Sequence, residues 1–104
     1  MTNERLTDLL AVRVMGWSIG PDRFMTGKRG WMPRWRFQPV EKLDDALRLF
    51  HEAAPQEYSI RGDDKGNVSV QVRIAGASGE ARGTCTPLAI TYAIARALGI
   101  ELEP

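Results

Sequence analysis

Apolar positions recur along this chain with two distinct periods, and each period predicts a different kind of element. Leu6, Leu9, Leu10, Val14 and Trp17 are spaced by three and four residues, which places them on one face of a first helix. Thr2 or Asn3 is a suitable N-cap, Glu4 lies in the first turn where the helix dipole favours negative charge, and Gly16 is the natural stop. A second helix is expected after Pro39. Leu43, Ala46, Leu47, Phe50 and Ala54 form its buried stripe, Lys42, Asp44, Asp45, Arg48 and Glu52 its solvent side, and Pro55 its end.

The period then changes to two. Tyr58 and Ile60 alternate with polar neighbours, residues 62–67 (GDDKGN) make a turn, and Val68, Val70, Val72 and Ile74 alternate again on the far side. This pattern predicts a β-hairpin with one buried face. A second turn through Gly76 and Gly79 leads to a weaker strand at residues 81–85. The last helix has Thr86 as N-cap and Pro87 in the first helical position, where its missing N–H is tolerated. Leu88, Ile90, Ala93, Ile94, Ala97 and Leu98 give it a broad apolar face, Gly99 closes it, and Ile100 can fold back onto its last turn.

Between the first two helices, residues 18–39 lose all periodicity. Gly20, Pro21, Gly27, Gly30, Pro33 and Pro39 interrupt the chain, so a long irregular loop is expected at 18–36, with at most one short strand near residues 35–37. Loops of this length inside a compact domain are usually functional or mobile. The order α, loop, α, β, β, β, α predicts an α/β (α+β) fold with three helices beside a small, mainly antiparallel three-stranded sheet. A length of 104 residues fits one domain spanning 1–104.

Three blocks also resemble a known family when taken together. They are residues 11–17 (AVRVMGW), Phe37-Gln38-Pro39 running into Asp45-Ala46-Leu47, and Thr86-Pro87-Leu88-Ala89-Ile90 with Ala93 and Ala97. In this order and spacing they resemble the phage ABA-sandwich family, small proteins encoded by phages and prophages. The resemblance spans roughly residues 5–99 and implies an α/β/α sandwich around a small antiparallel sheet. It also implies a phage or prophage origin in a bacterial host, and it lends no general biochemical activity. Two features depart from the family pattern: Val40-Glu41 stand where a Ser/Thr cap usually follows the proline, and residues 18–33 are longer and more basic.

Composition narrows the choice of function. The net charge is only +1, with 26% charged and 43% hydrophobic residues, which argues against a uniformly charged, polyanion-coating surface. The single cysteine and single histidine exclude a disulfide framework and the common zinc spacings, so neither a metal nor a cofactor is expected. No apolar run approaches the ~20 residues that span a membrane, and a cytoplasmic location is the expectation.

The charge is unevenly placed. Between Trp17 and Pro39, Arg23, Lys28, Arg29, Arg34 and Arg36 stand against Asp22 alone, interleaved with Trp17, Phe24, Trp31, Trp35 and Phe37. Guanidinium groups pair with phosphates and aromatic faces stack on bases, so this mixture suits a nucleotide-like ligand or nucleic acid. Arg23, Lys28, Arg29, Trp31, Arg34, Trp35 and Arg36 are therefore the candidate ligand contacts. The alternative is structural: the aromatics pin the segment to the core while the arginines stay solvated. Residues 27–30 (GKRG) lack the spacing of a phosphate loop, and the 62–67 turn lacks the calcium-loop pattern.

His51, late in the second helix, is expected at its rim. Cys85 precedes the last helix, where a helix N-terminus can activate a thiol, although a small buried residue closing a strand is the simpler reading. No catalytic constellation assembles from these residues. The expectation is a non-enzymatic protein that acts by binding. The alternative is an interaction module that forms a homo-oligomer or takes a protein partner, with no small ligand.

Overall fold

The computed structural model describes residues 2–27 and 29–102. Helix α1 (Asn3–Arg13) starts under the Thr2 hydroxyl, which accepts a hydrogen bond from the Arg5 N–H at 3.1 Å. Beyond it Gly16 takes a φ of 73°, and the Trp17 N–H reaches the Ala11 carbonyl at 3.0 Å. Trp17 thus lies past the helix, not on its last turn, yet it is buried.

The segment expected to be an irregular loop is a second, smaller sheet. Strands β1 (Ser18–Ile19), β2 (Arg23–Met25) and β3 (Trp31–Pro33) form an antiparallel meander, with Phe24 opposite Met32 and Met25 opposite Trp31. Two tight turns build it: the Gly20 N–H bonds the Arg23 carbonyl at 2.8 Å, and the Thr26 N–H bonds the Gly30 carbonyl at 3.0 Å. Gly20, Pro21, Gly27 and Gly30, which interrupt the sequence period, are residues of these turns. Residues 34–36 form a single 3-10 turn, not a strand. Pro33 ends β3, and the Phe37 N–H closes the turn on the Arg34 carbonyl at 3.3 Å, which directs Phe37 inward.

Helix α2 (Leu43–Ala53) begins without a side-chain cap at Lys42; instead the Asp45 carboxylate accepts the Gln38 N–H at 2.9 Å. Its buried face is narrower than expected. Ala46 and Leu49 are buried against the core, whereas Leu43 and Leu47 are exposed. The helix ends on Ala54 in the left-handed region, one residue ahead of Pro55.

Strands β4 (Glu57–Gly62), β5 (Val68–Ile74) and β6 (Ala77–Gly83) form the main antiparallel sheet in the order β4-β5-β6. In the β4–β5 turn the Asp63 carboxylate accepts hydrogen bonds from the Asn67 backbone N–H at 2.9 Å, the Asn67 side-chain amide at 3.1 Å and the Lys65 N–H at 2.9 Å, and these hold its pKa below the usual value. The β5–β6 turn is shorter than expected. Only Ala75 and Gly76 separate Ile74 from its partner Ala77, both with positive φ of 50° and 85°. That is the two-residue hairpin geometry that favours glycine or asparagine at both positions. Gly79 is therefore not a turn residue but lies inside β6, and β6 begins at Ala77 instead of residue 81. Ala75→Gly removes the left-handed penalty of a Cβ and is expected to raise stability by about 0.5–1 kcal/mol in denaturant unfolding.

Helix α3 (Thr86–Ala97) starts one residue earlier than expected, with Cys85 at the N-cap and Thr86 already helical. Its end is as expected: Gly99 takes a φ of 78°, its N–H bonds the Arg96 carbonyl, and the buried Ile100 bonds the Ala95 carbonyl, both at 3.0 Å. Ala89, Ile90, Thr91, Ala93, Ile94, Ala95 and Ala97 are all buried, so α3 is enclosed on most of its circumference. It packs on β5 and β6 on one side and on α2 on another. The Thr91 hydroxyl donates to the Pro39 carbonyl at 2.8 Å, satisfying its one buried polar group. Three helices and antiparallel three-stranded sheets make this an α+β fold around one core cluster.

Candidate functional site

The meander sorts the candidate residues onto different surfaces. Strand alternation turns Phe24 and Met32 toward the core and Arg23, Met25 and Trp31 outward. Trp17, Phe24 and Phe37 form a buried cluster with ring centroids 4.9–6.0 Å apart, two of the three pairs edge-to-face. The cluster anchors the segment, as the structural alternative requires of these three rings. Trp31 and Trp35 behave differently. They keep 55% and 65% of their surface exposed.

On the outward face the Arg23 guanidinium lies 4.5 Å from the Trp31 ring centroid. Asp22 accepts from Arg23 Nε at 3.0 Å, which lowers the Asp22 pKa and raises that of Arg23. Arg29 is exposed in the turn that joins β2 to β3, and Lys28 lies outside the described residues. The structure therefore brings Arg23 and Trp31 into contact and places Arg29 on the adjoining turn.

Arg34 points elsewhere. Its guanidinium donates to the half-buried Asp8 carboxylate on α1, has Glu4 at 3.9 Å, and lies 5.3 Å from the Phe24 ring centroid. The Asp8 hydrogen bond leads in raising the Arg34 pKa. This arginine ties the meander to the first helix, and its charge is already answered. Sequence reasoning had no signal for the pairing, because the partner stands 26 residues away on a separate element.

Trp35 and Arg34 also border a cleft of about 260 Å³ between the start of α1 and residues 37–41. Its floor is apolar, with Phe24, Phe37 and Val40, and its rim carries Glu4, Asp8 and Glu41 against Arg34 alone. An acidic rim disfavours a phosphate, so the cleft is not where the arginines of this segment would take an anion. Arg36 is exposed on the 3-10 turn.

The remaining chemistry-bearing residues are scattered. His51 is exposed in the last turn of α2. Cys85 is exposed, not buried as its size favoured, because it sits at the N-cap of α3 outside the sheet, with Sγ 3.9 Å from the Val40 carbonyl. Among the described residues no group of three or more His, Cys, Asp or Glu side chains is placed to hold a metal ion, and no helix is long and apolar enough to cross a membrane.

The fold defined by these elements is shared with a solved phage protein. A crystal structure of a phage protein from Bacillus cereus ATCC 14579 is similar to it with a TM-score of 0.76, over 99% of this chain and 93% of that chain, at 19% sequence identity. No family model matches the chain, and no curated protein matches it in sequence.

Proposed function

We propose that the chain is a phage- or prophage-encoded accessory protein that acts by binding, and that it takes a nucleotide-like ligand or a short nucleic-acid single strand on the outward face of the meander. The likeness in fold to a phage protein supports the origin. The observation that carries the binding reading is the exposed Trp31 ring with the Arg23 guanidinium against it. Aromatic rings and guanidinium planes both stack on bases, and guanidinium also pairs with phosphate. Arg29 on the adjoining turn extends the same cationic surface, while Arg34 is a positioning residue that holds the meander on α1.

Calorimetry and tryptophan fluorescence with single-stranded oligonucleotides and with free nucleotides test the reading. Binding is expected for the unmodified chain, and Trp31→Ala is expected to weaken it by roughly 10-fold or more, the scale of one lost stacking contact. Arg23→Glu is expected to act in the same direction. Absence of binding by the unmodified chain, or indifference to Trp31→Ala, defeats the proposal. The alternative reading has Trp31 and Trp35 buried against a second copy or a protein partner. It requires light scattering to show an assembly that Trp31→Ala dissolves.

A further inference from the structure

Helix α2 carries a wider apolar stripe than its own chain covers. Leu43 and Leu47, one turn apart, are each 45% exposed beside the buried Ala46 and Leu49. At the end of the same stripe Phe50 meets Tyr58 of β4 edge-on, with ring centroids 4.8 Å apart. Tyr58 and Ile60 pair with Val72 and Val70, so they share the sheet face that α3 covers over β5 and β6. They are nevertheless 62% and 44% exposed. Four large apolar side chains thus stand uncovered along one line, from α2 across to β4.

That line borders an open sheet edge. Among the described residues β4 has a neighbour on one side only, and residues 57–62 (EYSIRG) contain no proline, no lysine and no bulge to discourage pairing. We propose that this edge and the α2 stripe face a second copy of the same chain. The two β4 strands pair antiparallel about a two-fold axis through Ser59 and join the two main sheets into one of six strands.

The strand's own sequence selects this register. With Ser59 opposite its copy, Glu57 stands opposite the partner's Arg61, and Arg61 stands opposite the partner's Glu57. On the other face Tyr58 stands opposite the partner's Ile60, and the reverse. Both rows are complementary: two ion pairs on the polar face and two aromatic–aliphatic pairs on the apolar face. A slip of two residues one way sets Glu57 against the partner's Asp63, and the other way sets it against the partner's Ser59, so either slip loses the ion pairs. A slip of one residue sets apolar side chains against the polar face. Because the two-fold axis runs perpendicular to the sheet, both α2 stripes stay on the same side of it, and Leu43 and Leu47 gain apolar neighbours there.

Light scattering on the eluting protein is expected to give about 23 kDa, twice the chain mass of 11.6 kDa. Glu57→Arg alone and Arg61→Glu alone each set like charges opposite one another twice, and each is expected to weaken self-association at least about tenfold. An equimolar mixture of the two variants is expected to recover the dimer, because both pairs on the polar face then join opposite charges. Far-ultraviolet circular dichroism spectra of the separate variants that match the unmodified chain show that association, not folding, has been altered. A chain that stays at 11.6 kDa over the concentration range overturns the proposal. So do single variants that dimerise like the unmodified chain, or a dimer dissolved by Trp31→Ala, which puts the contact on the meander.

Discussion

Replacing Gly79 by alanine is expected to lower the melting temperature by about 15 °C or more, a loss of ~3 kcal/mol for a chain of this size. Gly79 lies in β6 opposite Val72, on the face that α3 covers, and it is buried. A methyl group there would run into the Ala93 carbonyl oxygen and the Ala97 amide nitrogen, with the Ala97 Cα at 3.0 Å. Every colliding atom is main chain, so no rotamer change or side-chain truncation on α3 can relieve the contact, and the whole helix must lift from the sheet. Lifting it opens the interface of the most buried element in the molecule, on which α2 also rests. Gly83→Ala, in the same strand, meets only the Cys85 nitrogen at 4.0 Å and is expected to stay within about 0.5 kcal/mol. Thermal melts followed by circular dichroism separate the two, and an unaffected Gly79→Ala would mean that α3 and β6 are not in main-chain contact.

The sequence of α3 shows how much of this was legible. Its alternation of alanine with larger aliphatic residues announced a helix made for close approach, and the Gly99–Ile100 ending is visible in the residues themselves. The partner of that close approach was not legible. Gly79 looks like a turn residue because glycine serves turns and tight packing equally, and only the pairing of Ile74 with Ala77 shows that the turn had already been made by Ala75 and Gly76.

The second helix illustrates another limit. Periodicity placed Leu43 and Leu47 in a buried stripe, but periodicity cannot say what covers a stripe, and among the described residues both stay 45% exposed. In the candidate site, composition located the basic and aromatic segment but could not sort it. Three-residue strands are too short to set up a period, so the meander read as a loop. The sorting into anchoring rings, an outward Arg23–Trp31 pair and an Arg34 held by Asp8 depends on register and on a contact with α1, neither of which composition records.

Phe37→Ala is expected to be the most damaging truncation between α1 and α2, at about 3–5 kcal/mol. Its ring is almost wholly buried and meets both other members of the aromatic cluster, Trp17 at 4.9 Å and Phe24 at 6.0 Å, edge-on in each case. These three rings come from the link between α1 and β1, from β2 and from the residue that follows the 3-10 turn, so the cluster joins segments that share few backbone hydrogen bonds. Removing the ring leaves a cavity that the neighbours cannot close without moving the strands, since Trp17 also lies under the Arg48 guanidinium of α2, 5.2 Å from its centroid. Against a total stability of about 5–15 kcal/mol, such a loss leaves the meander detached or the chain largely unfolded at moderate temperature. Trp35→Ala removes a larger ring from an exposed position and is expected to change stability by no more than about 0.5 kcal/mol. Near-ultraviolet circular dichroism and intrinsic fluorescence report the difference directly, because Trp17 loses its packed environment in the first variant and keeps it in the second. Were the two variants equally stable, the buried cluster would not be what holds the segment, and the exposure of Trp31 would lose its structural basis: the meander presents that ring to solvent only because the other three carry its attachment to the core.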